Sequence, residues 1–156
     1  MIFTATEADG SQIQEITARA GVFNPEEIDS VRVMWMEFLT LGSRDSGYHF
    51  IVARDGERLL GFAIYGPRDL TDGVFDLYWI AVDPDARCRG VGRELLTACE
   101  QAVRERRGRM LIAETSGTPL YESTRKFYLA TGYENEATIK DFYTVGDDLK
   151  IFIKRI

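Results

Sequence analysis

Residues 74–82 read Val-Phe-Asp-Leu-Tyr-Trp-Ile-Ala-Val, and Asp83-Pro84 follows. Branched and aromatic side chains suit a pleated, buried surface, and a proline cannot donate to a ladder. The segment therefore predicts a central strand that stops at Asp83. A short turn rich in glycine and arginine comes next. From Val91 onward Leu95, Leu96, Cys99, Ala102 and Val103 recur at helical spacing, and Arg104, Arg106 and Arg107 precede Gly108. That is an amphipathic helix with basic residues at its C-terminal end. A buried strand that passes through a tight turn into such a helix needs a sheet around it, so the rest of the chain must supply the neighbours.

The flanking segments do so in alternation. Residues 2–5 predict a short strand, and Ile13, Ile16, Ala20 and Val22 a first helix. Asn24-Pro25-Glu26-Glu27 offers a cap, a proline at the first helical position and early acids, after which Ile28, Val31, Trp35, Phe38 and Leu39 form one face of a second helix. Strands over 48–54 and 58–65 meet at Asp55-Gly56, a hairpin signal that predicts antiparallel pairing. A strand over 110–113, a helix over 120–131 stopped by Gly132, and two strands flanking Gly146-Asp147-Asp148 complete the series. No repeat or Pro/Ser-rich linker divides it, and one α/β domain over 1–156 is expected.

Composition narrows the function. The single histidine, His49, excludes a histidine-based metal cluster, so no metal is expected. Two cysteines, Cys88 and Cys99, are no disulfide framework and read as free thiols. A net charge of -6 opposes broad nucleic-acid binding. No apolar run approaches the ~20 residues that cross a bilayer, and the first residues lack a secretory pattern, so a cytoplasmic protein without membrane contact is expected.

The turn after the central strand contains Arg87, Cys88, Arg89, Gly90, Val91, Gly92 and Arg93. N–H groups at a helix start are unpaired and the helix dipole adds positive charge, so a phosphate fits there. Glycines permit close approach, and three arginines can donate to phosphate oxygens. Alternatively Gly90 and Gly92 only make the turn and the arginines are solvated. The Walker pattern is absent and the dinucleotide fingerprint is incomplete after Gly92.

Arg87-x-x-Gly90-x-Gly92 behind Ile80-Ala81-Val82-Asp83-Pro84 resembles the acetyl-CoA signature of the GNAT superfamily. Lys126-Phe127-Tyr128-Leu129-Ala130-Thr131-Gly132-Tyr133 is similar to that family's second hallmark. The resemblance runs from about Tyr48 to the C-terminus. It implies a mixed, mostly antiparallel sheet of six to seven strands with about four flanking helices. It also implies an N-acetyltransferase that moves the acetyl group of acetyl-CoA directly to an amine, with a small-molecule acceptor expected and sometimes a homodimer; a protein or peptide acceptor, and a non-catalytic acyl-CoA-binding sensor, are the alternatives. The backbone of Ile80, Ala81 and Val82 would pair with pantetheine, and the segment from Arg87 to Arg93 would hold the pyrophosphate. The family often has asparagine where this chain has Tyr121, a departure at a cofactor-contact position.

Tyr128 takes the family's general-acid position, since a phenol can protonate a departing thiolate. Packed against Phe127 it would instead be a core residue. Asp76 stands alone in an apolar strand, where related enzymes often have a basic glutamate, and burial would raise its pKa toward a useful range. It could equally be a solvated edge residue, and Glu114 is the competing base. Trp35, Phe38, Tyr65, Tyr78, Trp79 and Tyr143 could wall an acceptor pocket or fill the core. Asp141, Asp147 and Asp148 could attract a cationic amine or solvate the last turn.

Overall fold

The computed structural model describes residues Met1–Ile156. In chain order the elements are β1 (Ile2–Thr4), α1 (Gly10–Arg19), α2 (Pro25–Ser46), β2 (His49–Asp55), β3 (Arg58–Pro67), β4 (Val74–Val82) and α3 (Val91–Glu105). They continue with β5 (Met110–Ser116), α4 (Glu122–Ala130), β6 (Glu134–Thr144) and β7 (Asp147–Arg155). All seven strands join one sheet in the order β1-β2-β3-β4-β5-β7-β6, and only β4 and β5 run parallel. A parallel pair needs a long crossover, and α3 provides it. No helix is long and apolar enough to cross a membrane.

Local chemistry fixes most boundaries. Asn24 and Glu27 form the reciprocal cap of α2: the Glu27 N–H donates to Asn24 Oδ1 at 2.8 Å, and the Asn24 N–H donates to Glu27 Oε2 at 2.7 Å. β2 and β3 pair from His49↔Tyr65 to Asp55↔Arg58, with Gly56 left-handed at φ 59 in the turn. Four boundaries differ from expectation. Val22 lies beyond the end of α1, and α2 continues past its apolar face to Ser46, with its helical backbone interrupted at Gly42 (φ 76). A 3-10 turn, Pro119–Tyr121, replaces the first turn expected of α4. β5 reaches Ser116 because β7 pairs with it over its full length.

The sheet is covered on both faces. On one, Ile13, Ile16, Val31 and Trp35 pack on Phe50, Val52, Phe62 and Ile64. On the other, Leu95, Leu96, Cys99, Val103 and Tyr128 pack on Ala63, Phe75, Leu111 and Phe152. β4 changes phase between the two. Its register against β3 passes from Tyr65↔Leu77 to Ile64↔Trp79, leaving Tyr78 as an extra residue. Phe75 and Leu77 therefore face α3, whereas Ala81 and Trp79 face α1 and α2.

β4 and β5 then part. Their ladder runs from Val74↔Met110 to Leu77↔Ala113 and ends there. Beyond it β4 stays paired only with β3, through Gly61↔Val82, while β5 stays paired only with β7, through Ser116↔Leu149. The packing of α3 against β3 and β4 holds this geometry, and Leu95 is its fully buried centre. Leu95→Ala is expected to lower unfolding free energy by about 2–5 kcal/mol in chemical denaturation. A cost under about 1 kcal/mol would show that α3 is not anchored there.

Candidate active site

A cleft of about 960 Å³ opens where β4 and β5 separate. Residues from the α1–α2 connection, β4, β5, the glycine turn and α4 line it, so it passes from one face of the sheet to the other. Ile80, Ala81 and Val82 form one wall, and their backbone lacks a strand partner on the β5 side. An unpaired edge of this kind can take an extended ligand as an added strand.

The glycine turn closes one end. Asp83 is buried and caps the turn by accepting the Asp85 N–H at 3.0 Å, while Arg58 and Arg19 lie 3.1 and 3.4 Å from its oxygens. Burial alone would raise its pKa, but the Asp85 N–H and the two guanidiniums outweigh that and lower it. Cys88 and Gly90 are both left-handed, at φ 61 and 84. The first helical bond of α3 runs from the Glu94 N–H to the Gly90 carbonyl at 3.0 Å. The N–H groups of Val91, Gly92 and Arg93 precede it and point out of the helix start, a ready anion site.

The side chains of this segment divide. Arg87, Cys88 and Gly92 line the cleft, whereas Arg89 is exposed and the side chain of Val91 joins the core. Arg87 Nη2 donates to the Ala20 carbonyl at 2.6 Å, bracing the end of α1, and Arg93 reaches the Ala130 carbonyl at 3.5 Å. Val91 can therefore offer an anion only its N–H.

At the other end Asp76 is buried but not unpartnered, contrary to the lone carboxylate the sequence suggested. Arg68, from the β3–β4 connection, donates through Nε to both Asp76 oxygens at 3.0 Å. Its Nη2 lies 2.8 Å from Asp76 Oδ1 and 3.1 Å from Glu114 Oε1, so one guanidinium joins the two acids across the parting strands. The Asp76 bond heads the causes that raise the Arg68 pKa. Sequence reasoning missed Arg68 because it stands in a loop outside every motif. The only signal was a buried acid in an apolar strand, which requires a cation somewhere.

Three expected wall residues lie elsewhere. Trp35 and Phe38 pack with Phe50, with ring centroids 5.0–5.4 Å apart, under α2. Tyr65 is buried on the α3 face, stacked on His49. These are core aromatics, and the cleft aromatics are Phe23, Tyr78, Trp79, Tyr121, Phe127, Tyr128 and Tyr143. The Tyr78 phenol is pushed up to about 12, by burial and then by Asp76. Tyr121 crosses the cleft, its hydroxyl 3.2 Å from both the Val22 carbonyl and Glu27 Oε1.

Tyr128, on α4, is 4% exposed, with its ring against Tyr133 and Phe152. The ring packs as a core residue, and the residue also borders the cleft. Burial, and then Cys99, raises its pKa above the ordinary phenol value.

Residues 46–135 match the family model of the acetyltransferase (GNAT) domain. An acetyltransferase of the GNAT family from Desulfovibrio desulfuricans shares 38% identity over 99% of this chain and 98% of its own, with a TM-score of 0.96. The chain belongs to the GNAT family.

Two further solved GNAT-fold structures are similar. The ribosomal-protein-alanine N-acetyltransferase of Brucella melitensis has 25% identity over 100% and 99% of the chains and a TM-score of 0.77. A Salmonella typhimurium chain solved with acetyl-CoA has 18% identity over 99% and 92% and a TM-score of 0.76. No protein of curated function matches this GNAT chain in sequence. The protein is an acetyl-CoA-dependent acetyltransferase, and its open strand edge, unpaired helix start and through-going cleft fit that co-substrate.

The Arg68 clamp should be energetically visible. Arg68→Ala strands a buried carboxylate and is expected to cost about 1–3 kcal/mol in denaturant unfolding, with Arg68→Lys recovering only part. An alanine variant as stable as the parent would show that water replaces the guanidinium at no cost.

Proposed function

We propose that this GNAT acetyltransferase moves the acetyl group directly to the primary amine of a small molecule, with Tyr128 as general acid. The observation that carries this reading is a tyrosine that is almost wholly buried and still lines the cleft. Acetyl-CoA supplies the thioester acyl group and a diphosphate handle. The free edge of Ile80, Ala81 and Val82 holds the pantetheine arm, and the N–H groups of Val91, Gly92 and Arg93 with Arg87 hold the diphosphate.

For transfer, the neutral amine nitrogen bonds to the acyl carbon as the carbon–sulfur bond breaks. Tyr128 gives its proton to the sulfur and recovers one from solvent, and the amine sheds its surplus proton. Glu114 is the better acceptor for that proton. Asp76 has both oxygens on Arg68, whereas Glu114 gives Arg68 only Oε1. Asp76 is thus a positioning residue that aims Arg68. A backbone N–H of the open β4 edge meets the oxyanion.

The Tyr121 bridge from the 3-10 turn to Val22 and Glu27 bounds the cleft and suits a compact acceptor. Free Cys88 and Cys99 suit a reducing, cytoplasmic setting. A peptide acceptor is the second reading, favoured by the similarity to the Brucella ribosomal-protein-alanine enzyme.

Tyr128→Phe should lower kcat by about 10²-fold or more while leaving the acetyl-CoA dissociation constant within roughly threefold, measured by thiol release and calorimetry. Equal turnover would remove Tyr128 from the chemistry, and tight acetyl-CoA binding without thiol release across amines and peptides would indicate a sensor domain. The pH profile has a definite sign. A general acid works while protonated, and burial raises the Tyr128 pKa, so activity should climb as acceptor and base lose protons and show no fall up to about pH 10. A descending limb near pH 8 would contradict this.

A further inference from the structure

α4 is the shortest of the four α-helices. Of its nine residues, Glu122–Ala130, only Tyr128 is buried. A helix of that length is not fixed by its own hydrogen bonds, so its position depends on groups that reach it from other elements. Arg125 supplies one tie, donating to the carbonyls of Ser116 and Thr118 at 2.8 and 2.7 Å and so binding the helix to the end of β5.

The end that carries Tyr128 is held differently. The Tyr128 carbonyl is met by the N–H groups of Thr131 and Tyr133 and by the Thr131 hydroxyl, at 3.0–3.1 Å. The next free carbonyl, that of Thr131, accepts from Lys154 Nζ on β7 at 3.0 Å. The same ammonium lies 2.9 Å from Oε2 of Glu100, a buried acid on α3. It also lies 5.6 Å from the centroid of the Tyr133 ring, which packs 5.5 Å from that of Tyr128. One lysine thus joins α3, the end of α4 and the ring behind Tyr128. Arg93 reaches the same end of α4, but its 3.5 Å approach to the Ala130 carbonyl is a weaker bond.

A cation at the C-terminal end of α4 suits the helix dipole. An enclosed ion pair nevertheless adds little stability over an apolar pair of the same size, because desolvation offsets the attraction. What it supplies here is position. The start of α3 carries the unpaired amides of the glycine turn, α4 carries Tyr128, and Glu100, Lys154 and Thr131 form a bonded path between the two helices.

We infer that Lys154 is a positioning residue for acetyl transfer, fixing α4 against α3 so that Tyr128 stands beside the sulfur of a seated acetyl-CoA. Lys154 does not line the cleft, so it acts on the reaction only through Tyr128. The assignment rests on the general-acid reading of Tyr128 above.

Lys154→Met alone strands the Glu100 carboxylate. The paired variant Lys154→Met/Glu100→Gln, which removes both charges and keeps the packing, is therefore tested beside it, with Lys154→Arg as the conservative change. The first readout needs no acceptor. The seven tyrosines are labelled as 3-fluorotyrosine, the Tyr128 fluorine resonance is assigned by its loss in Tyr128→Phe, and CoA is titrated. The parent resonance should shift on saturation with CoA. The paired variant should lose that shift while its CoA dissociation constant, from calorimetry, stays within about threefold. The second readout is thiol release from acetyl-CoA with the fastest acceptor from a panel of primary amines and peptides. There kcat should fall about tenfold or more in the paired variant, and Lys154→Arg should recover most of it. In a Tyr128→Phe background the same pair of changes should cost less than about twofold, since no acid remains to be misplaced.

A parent Tyr128 resonance that ignores CoA would overturn the general-acid reading and this inference with it. A parent resonance that shifts, with an equal shift in the paired variant or a kcat loss of the same factor in both backgrounds, would overturn the inference alone and leave Lys154 a purely structural residue.

Discussion

β4 and β5 share hydrogen bonds from Val74↔Met110 to Leu77↔Ala113, and then each continues with a different neighbour. Buried strand edges are normally paired, because an unpaired N–H or C=O away from water costs about as much as a lost hydrogen bond. Here the cost is carried in the middle of a seven-stranded sheet, and the rest of the site is arranged around it. The extra residue at Tyr78 turns the end of β4 so that residues 80 and 82 face the α3 core and Ala81 the opposite one. α3 starts beside the same end of the gap, with its first amides unpaired. α4 brings Tyr128 to the wall. Strand edge, helix start and Tyr128 all border the gap that the missing ladder leaves.

The cleft carries both signs of charge. The turn contributes unpaired amides and Arg87, and the walls also carry Glu27, Asp76, Glu114 and Asp147, of which Arg68 joins Asp76 and Glu114. Arg68 also acts mechanically, since it spans from Asp76, inside the β4–β5 ladder, to Glu114, one residue past its last pair. The strands are thus tied by side chains where their backbones let go. A guanidinium suits this because its planar fork can bond two carboxylates at once, which an ammonium cannot do with the same geometry.

Much of the scaffold was legible because it is locally determined. β4 has the bounds its composition implies, Asp55-Gly56 turns the hairpin, and the Asn24/Glu27 cap starts α2. The glycine turn and the start of α3 were readable for the same reason, being contiguous. What failed was anything decided by which face a residue takes. Trp35, Phe38 and Tyr65 have the same composition as a pocket wall but point into cores, and Tyr78 with Trp79 both border the cleft because a bulge breaks the alternation. Arg68 and Asp76 lie eight residues apart and Arg68 and Glu114 forty-six apart, with no periodic pattern linking them. The Tyr121 bridge to Val22 spans ninety-nine residues and is equally invisible in the sequence.

The central claim is that the parted strand edge and the helix start together form the acetyl-CoA seat, and amide hydrogen exchange with and without CoA tests it directly. The account predicts that added CoA slows exchange most in two short stretches, residues 80–82 and 91–93, with smaller effects along the cleft wall. CoA that binds while those amides exchange as before, with protection appearing elsewhere, would contradict it.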